Sequence, residues 1–209
     1  MNNYVITIGR QVGSGGSVLG RSLAEHFGFN YIDKDLVKKA AKELNSPEED
    51  LAPLDEKETL ANRLLLQTGG YPRAYMSDDW KTFTGEDLFK TESKIIRQSA
   101  ERASCVVVGR CGFHLFRGYE RHISLFLYSD EEQRIRRLSK HLGMADEKAL
   151  KMMRKLDKER ARYVHTYTGS AWQDPTNYDL TIDTAKLDDE QLLELAIHYI
   201  CNRFPELEK

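Results

Sequence analysis

The 209-residue sequence contains no apolar run long enough to cross a bilayer, and no C-x-x-C pair occurs among its three cysteines. Three widely spaced cysteines do not make a disulfide framework, and the sequence enters a strand-like segment without a signal-type stretch. We therefore expect a cytoplasmic protein with no membrane association. The formal net charge of −2 and the sequence pI of about 6.3 provide no broad basic field, so long nucleic acids are not expected partners. The six histidines form no H-E-x-x-H motif, and no zinc site is predicted.

A glycine-rich turn from Gly9 to Ser17 is the most informative segment that the sequence does contain. The short β-branched run before it, residues 4–8, predicts a buried strand, and apolar residues at helical spacing after it predict an amphipathic helix. The first amides of such a helix lack intrahelical partners and carry the positive end of its dipole, so they suit a phosphate. The residues expected to cradle donor phosphates are Gly13, Ser14, Gly15, Gly16 and Ser17.

The turn lacks the lysine of a Walker A motif, G-x-x-x-x-G-K-[ST], because Gly16 stands in the place before Ser17 where the lysine belongs. The nearest candidates for a replacement cation are Arg10 within the turn and Arg21 on the following helix. The Ser17 hydroxyl remains available to contact Mg²⁺. The alternative without a ligand is that the glycines only allow tight packing of the strand against the helix.

A dinucleotide-binding alternative rests on the spacing of Gly9, Gly13 and Gly15, which fits short-chain dehydrogenases. Asp33 follows at roughly 20 residues, the distance of a ribose-binding acid. Two features count against this alternative. Val18 stands where the G-x-G-x-x-G variant needs its last glycine or alanine, and the sequence has no Tyr-x-x-x-Lys pair.

The alternation of strand and helix patterns predicts one α/β domain with a parallel sheet. Strands are predicted at residues 4–8, 29–32, 105–108, 122–127 and 178–182. After the first two helices, further helices are predicted at Gly85–Arg102, after a capping-box pattern at 129–132, at Asp146–Tyr163 and at Asp188–Ile200. The segment from Asn45 to Arg102 breaks the rhythm and is interpreted as an inserted helical subdomain.

Ligands in an open parallel sheet bind beyond the carboxyl ends of its strands, and three predicted strand ends carry charged residues. These residues are Arg10, Asp33 and Arg110. The Arg110 guanidinium suits a bidentate grip on phosphate, and the Asp33 carboxylate suits a sugar, a base or the acceptor group. The alternatives are that Asp33 only caps the following helix and that Arg110 pairs with an acid at the sheet edge.

Charged residues recur at a spacing of three on two predicted helices: Arg134 and Arg137 on one, and Arg154, Asp157 and Arg160 on the other. Residues at i, i+3 and i+6 share one side of a helix, so we expect the two stripes to close over a polyphosphate. In phosphoryl transfer, most of the catalysis comes from cations that neutralise the negative charge of the transferred phosphoryl group. The alternative is a pair of solvated helix faces with weak ion pairs.

Five segments of the sequence together resemble the cytidylate kinase-like family of P-loop nucleoside monophosphate kinases. They are the glycine-rich turn, Tyr31-Ile32-Asp33, Val108-Gly109-Arg110, the helix with Arg134 and Arg137, and Asp157-x-x-Arg160. The resemblance spans nearly the whole chain. Later segments of the sequence are similar to the branch of that family whose lysine-less loop reads roughly S-R-x-x-G-S-G-G. These segments are Tyr167-Thr168-Gly169, Trp172 and Asn177-Tyr178-Asp179.

This resemblance implies a three-layer P-loop NTPase fold with a five-stranded parallel sheet. It implies a core at 1–36, 104–128 and 164–209, a helical NMP-binding insertion at 37–103 and a helical lid at 129–163. It also implies ATP and Mg²⁺ as cofactors. By the same resemblance, arginines near Arg137 lie in the lid over ATP, and the CMP moiety is held by Asp33, Arg110, Asp157 and Arg160.

The leading hypothesis is an ATP-dependent phosphotransferase that acts on CMP or a related small phosphorylated acceptor. The expected catalytic cations are Arg10, Arg134, Arg137 and Arg160. The alternative, from a different class, is a nucleotide-binding sensor or regulator with little or no turnover, and the missing loop lysine favours it. For Trp80 and Trp172 an ordinary packing role is favoured over base stacking.

Overall fold

The computed structural model describes residues 3–33 and 85–208. Some predictions therefore lie outside the described residues. They are the helix after Asp33 and any cap that Asp33 makes to it, most of the insertion at 37–103, and the role of Trp80. The last helix of that insertion is described.

Within the described residues, five parallel strands form one sheet in the order β2-β3-β1-β4-β5. The strands are β1 (Val5–Arg10), β2 (Asn30–Ile32), β3 (Cys105–Val108), β4 (His122–Tyr128) and β5 (Leu180–Asp183). The predicted five-stranded parallel sheet is confirmed. β1 is central: Ile8 is in register with Val108 of β3, and Arg10 is in register with Leu127 of β4. The carboxyl ends of β2, β3 and β1 consequently meet at one edge of the sheet.

Helices cover both faces of this sheet. In the described part of the chain they are α1 (Gly16–Phe27), α2 (Gly85–Arg102), α3 (Gly112–Leu115), α4 (Glu131–Leu142), α5 (Asp146–Thr168) and α6 (Asp189–Arg203), with short 3₁₀ helices at Pro175–Asn177 and Pro205–Leu207. The short α3 was not predicted, because a single turn carries no readable periodicity. Among these described helices, none combines the length and apolar character needed to cross a bilayer.

Two helix ends differ from the prediction for local chemical reasons. α4 is capped by Asp130, whose side chain accepts from the Gln133 amide at 2.7 Å, rather than by Ser129 as the capping-box pattern has it. The predicted end of α5 at Tyr163 was wrong. The helix continues to Thr168 because no breaker precedes Gly169, whose φ of 68° ends it. The predicted lid boundary at residue 163 therefore falls inside a continuous helix.

The sheet is buried on both faces, which produces the three-layer architecture. One face packs against α1 and α6, and its core contains Ile6, Ile8, Leu19, Leu23, Val106, Val108, Leu125, Leu192, Ala196 and Ile200. The other packs against α2 and α3, and its core contains Val5, Val107, Leu88, Ile95, Ile96, Ala100 and Leu115. Residues of β1 and β3 alternate between the two cores, as the pleat of a strand requires.

Gly20 allows α1 to lie close to the sheet. A Cβ at this position would lie 2.6 Å from Val108 Cγ2 and 3.1 Å from Tyr31 Cε2, so only glycine fits without displacing a core side chain. The close packing holds α1, and the turn that precedes it, beside the carboxyl ends of the central strands.

We expect Gly20→Ala to lower the free energy of unfolding by about 1–2 kcal/mol. Overpacking costs about 1–3 kcal/mol, and the better helix propensity of alanine returns up to about 1 kcal/mol. Urea denaturation followed by far-UV circular dichroism measures the change. Val18→Ala on the same helix is the control, since Val18 is 47% exposed. A variant at least as stable as wild type would contradict this packing.

Candidate functional site

The glycine-rich turn joins β1 to α1 with two residues in the left-handed region, Gly13 at φ 83° and Gly15 at φ 88°. α1 has no side-chain cap, and the amides of Val18 and Leu19 donate back to the Gly15 carbonyl at 3.0 Å each. Among the described residues, the backbone amides of positions 13, 15, 16 and 17 donate no hydrogen bond. Open amides at a helix N-terminus are the arrangement that binds phosphate in proteins.

Val12 is held at both of its backbone groups by side chains of α4 and α5. Its amide donates to Asp157 Oδ1 at 2.9 Å, and its carbonyl accepts from Arg134 Nε at 2.7 Å. Arg134 Nη2 and Asp157 Oδ2 also form an ion pair. A Cβ at Gly13 would lie 2.8 Å from the Arg134 carbonyl oxygen, so the turn directly contacts α4. We name Val12, Arg134 and Asp157 the loop clamp.

Arg160 and Arg154 lie on the same helix but face different partners. Arg160 is buried, and its Nη1 donates to the Arg10 carbonyl at 2.8 Å. Its guanidinium carbon lies 5.7 Å from the centre of the Trp172 ring, and Trp172 is a buried residue that packs edge-on against Phe126. Arg154 is exposed and pairs in a bidentate manner with Glu131. Of the predicted stripe on α5, Asp157 and Arg160 reach the turn and Arg154 does not.

Arg137 contacts the segment that follows β5. It donates to the Thr184 hydroxyl and carbonyl at 2.9 Å each, and to the Leu187 carbonyl at 3.3 Å. Thr184 is buried, and its hydroxyl lies 3.1 Å from the Ser14 carbonyl oxygen. Arg137 therefore supports the glycine-rich turn through Thr184. The sequence signal for Thr184 was its position just after the fifth predicted strand, where site residues of a parallel sheet are found.

Arg110, at the end of β3, is 2% exposed and forms an ion pair with Glu92 of α2, with 3.0 Å between Nη1 and Oε1. The Tyr163 hydroxyl lies 3.5 Å from the other oxygen of Glu92. The acid is thus on α2 and not at the sheet edge, where the sequence-based alternative placed it. Burial lowers the pKa of Arg110 to about 10, and the positive charge of Arg10 and Arg160 acts in the same direction. The guanidinium remains protonated at neutral pH.

Glu92 was missed by the sequence analysis although a signal was present. It is 1% exposed and lies on the apolar stripe of α2, together with Leu88, Ile95 and Ile96. A carboxylate on such a stripe is buried, and burial of a charge is costly unless a cation faces it. An acid at this spacing within a predicted amphipathic helix therefore indicates a buried basic partner.

Asp33, at the end of β2, is 2% exposed and accepts a hydrogen bond from the Tyr31 hydroxyl at 2.9 Å. Burial raises the pKa of Tyr31 to about 12, and the negative charge of Asp33 adds to the shift. Tyr31 therefore stays protonated and orients the carboxylate. Asp33 is also close enough to Arg110 to raise the pKa of that guanidinium, so the ends of β2 and β3 share one crevice.

The segment after β3 is strained. Three consecutive residues, Gly109, Arg110 and Cys111, have positive φ values of 80°, 57° and 53°. For arginine and cysteine this region costs on the order of 1 kcal/mol each. Such strain persists where the surrounding structure imposes it, and it clusters at functional sites. Here the strained turn holds Arg110 beneath α2, against Glu92.

Among the described residues that line the crevice, positive charges outnumber negative ones. Four guanidinium groups face three carboxylates, namely Arg10, Arg110, Arg134 and Arg160 against Asp33, Glu92 and Asp157. Most of these groups are buried, where electrostatic interactions are weakly screened. An anionic ligand is therefore favoured over a neutral one.

The parallel sheet order, the glycine-rich turn and the helices on both faces define a P-loop kinase-like fold. The turn and the strand ends border a crevice beyond the carboxyl ends of the strands, where ligands bind in open parallel sheets. The chain belongs to the cytidylate kinase-like family, whose model matches residues 5–186.

Three individual proteins are similar to this chain in sequence or in fold. A cytidylate kinase from Methanothrix thermoacetophila is 26% identical over 194 residues, which cover 92% of this chain and 95% of that protein. An uncharacterized protein from Eubacterium ventriosum, with a solved crystal structure, is 27% identical, covers 95% of this chain and 98% of its own, and has a TM-score of 0.71. Shikimate kinase from Bacteroides thetaiotaomicron, 14% identical over 95% of this chain and 97% of its own, has a TM-score of 0.51 and shares the fold.

We expect Glu92→Ala to lower the free energy of unfolding by about 3–5 kcal/mol, because it removes the carboxylate that faces the buried charge of Arg110. Urea denaturation measures the loss. In the double variant Glu92→Leu/Arg110→Met, most of the loss should be recovered, since neither charge then remains buried.

Glu86→Ala is the matched control on the same helix. Glu86 pairs with Lys90 in a solvent-exposed i, i+4 ion pair at 2.7 Å, and removing it should leave the stability unchanged within error. Equal losses for Glu92→Ala and Glu86→Ala would rule out an energetically important buried pair.

Proposed function

We propose that the protein is an ATP-dependent phosphotransferase that acts on CMP or a related small phosphorylated acceptor. The observation that carries the proposal is the set of open amides in the glycine-rich turn, which the loop clamp holds at a helix N-terminus. Membership of the cytidylate kinase-like family and similarity to the cytidylate kinase from Methanothrix thermoacetophila support a pyrimidine nucleotide as acceptor.

In this proposal the donor phosphates lie on the amides of the turn, and the acceptor lies between the ends of β2 and β3. An acceptor oxygen attacks the γ-phosphorus, the bond from that phosphorus to the β–γ bridging oxygen breaks, and ADP leaves. The donor phosphates are cradled by Gly13, Gly15, Gly16 and Ser17. The predicted fifth member, Ser14, is buried, and its amide and hydroxyl donate to the Gln11 carbonyl, so it shapes the turn instead. The acceptor is oriented by Asp33, Arg110, Asp157 and Arg160. Charge on the transferred phosphoryl group is neutralised by Arg10 and Arg160, whereas Arg134 and Arg137 act by holding the turn through Val12 and Thr184.

Mg²⁺ fits this arrangement at Ser17. The Ser17 hydroxyl makes no hydrogen bond among the described residues, and it stands on the first turn of α1 beside the open amides. A hydroxyl oxygen is a suitable ligand for Mg²⁺, which completes its coordination with phosphate oxygens and waters. The bound ion supplies further neutralisation of the donor phosphates.

A nucleotide-binding sensor or regulator is the second candidate. Two observations favour it: Gly16 replaces the loop lysine, and Glu92 already neutralises the buried Arg110 guanidinium that an acceptor phosphate needs. Such a protein binds ATP at the turn with little or no turnover.

ADP release from purified protein, with MgATP and a panel of CMP, dCMP, UMP, AMP, shikimate and gluconate, separates these candidates. We expect ADP formation that depends on a pyrimidine monophosphate, because the family relation points to that acceptor. A rise in Tm with MgATP but no turnover with any acceptor would favour the sensor. If the protein neither binds MgATP nor turns it over, both candidate functions are refuted.

A variant of the loop clamp links the activity to the site. Asp157→Asn removes the charge that holds Arg134 and should reduce kcat/KM at least about tenfold, the scale of one charge-assisted hydrogen bond. Glu131→Gln is the control, because it removes a half-exposed carboxylate of α4 that pairs with Arg154 away from the turn. It should keep wild-type activity.

A further inference from the structure

Two departures from the Walker A pattern occur in the same turn and are reciprocal. The pattern G-x-x-x-x-G-K-[ST], aligned on Gly15 and Ser17, has glycine at position 10 and lysine at position 16. This chain has Arg10 and Gly16. The cation and the glycine have therefore exchanged positions.

The two positions are in direct contact. A Cβ at Gly16 would lie 2.8 Å from Arg10 Cβ, 2.8 Å from its Cγ and 3.4 Å from its Cδ. The Arg10 Cβ is bonded to the backbone of β1 and cannot move aside by rotation of a distal bond. Arginine at position 10 therefore excludes a side chain at position 16, and lysine at position 16 requires a smaller residue at position 10.

Arg10 is held at the place where the donor phosphates are proposed to bind. It is 5% exposed, its carbonyl accepts from Arg160 Nη1 at 2.8 Å, and it is in register with Leu127 of β4. The stem of its side chain crosses Gly16, whose amide is one of the open donors of the turn. An arginine whose stem lies beside open amides is within reach of an anion bound to them, and the charge of Arg10 is also felt at Arg110.

Arg21, the other candidate for the missing cation, is directed elsewhere. It is exposed, and its guanidinium carbon lies 5.7 Å from the centre of the Tyr31 ring. This contact associates Arg21 with Tyr31 and not with the glycine-rich turn.

We propose that Arg10 and Gly16 are an exchanged pair, in which Arg10 supplies from the end of β1 the cation that a Walker A lysine supplies from the first turn of the helix. Its ligand is the β- and γ-phosphate region of a nucleoside triphosphate. The inference rests on the proposed phosphotransferase function and adds the residue that replaces the lysine. A guanidinium binds two phosphate oxygens at once, so the substitution keeps the charge and adds a fixed geometry.

The steric part of the proposal is tested without any nucleotide. Gly16→Ala is made in wild type and in an Arg10→Gly background, and Tm is measured by differential scanning calorimetry. In wild type we expect Tm to fall by at least about 3 °C, because the new Cβ meets the arginine stem. In the Arg10→Gly background the same change should cause no loss. Equal effects in both backgrounds would overturn the contact.

The functional part is tested by restoring the Walker order. Arg10→Gly should lower ATP-dependent turnover about 100- to 1,000-fold, the effect of removing one electrostatic donor, and should weaken MgATP binding by calorimetry. Gly16→Lys alone should lower both turnover and MgATP binding, because the lysine side chain clashes with Arg10. The double variant Arg10→Gly/Gly16→Lys should recover at least about tenfold relative to Arg10→Gly. Arg203→Ala, which removes an exposed arginine at the end of α6 beside Phe204, is the control and should match wild type.

The outcomes separate this inference from the proposed function. An active wild type whose turnover and MgATP affinity are unchanged in Arg10→Gly would overturn the exchange and leave the phosphotransferase standing. A folded double variant no better than Arg10→Gly would also overturn it. If wild type binds MgATP without turnover, the affinities of the same variants decide. Weaker binding in Arg10→Gly that the double variant restores supports the exchange, and unchanged binding in Arg10→Gly refutes it. A wild type that does not bind MgATP at all would refute both.

Discussion

The loop clamp is the interaction on which the rest of the site depends. Among the described residues, the amides at positions 13, 15, 16 and 17 donate no hydrogen bond, while Ser14 donates back to the Gln11 carbonyl and Val12 is fixed by bonds to α4 and α5. Arg134 and Asp157 form an ion pair within the clamp, so each compensates the charge of the other. Any displacement of α4 or α5 reaches the turn directly through these two side chains.

The side of the crevice proposed for the acceptor is built differently from the side proposed for the donor. The donor side offers backbone amides, whereas the acceptor side offers Arg110, which is buried and faces Glu92. An acceptor phosphate must therefore compete with a carboxylate, or bind while α2 is displaced. α2 is the last helix of the predicted insertion. Under the proposed function, the Arg110–Glu92 pair therefore couples the conformation of that helix to acceptor binding. This pair is the physical basis on which a kinase and a sensor of the same fold would differ.

The fold and the turn could be predicted from the sequence because they depend on local patterns. Continuous apolar runs such as Cys105–Val108 are typical of buried parallel strands, and the glycines at 13 and 15 occupy the positive φ values that the turn needs. The partners of the charged side chains could not be predicted, because they depend on how α4 and α5 are placed in three dimensions. Arg154 and Arg160 share one face of α5 in the sequence pattern, yet one pairs with Glu131 at the surface and the other reaches the Arg10 carbonyl. The roles of the predicted site residues in catalysis stay predictions.

Amide chemical shifts of the ¹⁵N-labelled wild-type protein, followed during a titration with MgATP, test the central claim most directly. The account predicts that the amides of Gly13, Gly15, Gly16 and Ser17 show the largest saturable downfield changes, because they gain an anionic acceptor that they lack in the free protein. Saturable changes elsewhere in the protein, with these four amides unmoved, would contradict it.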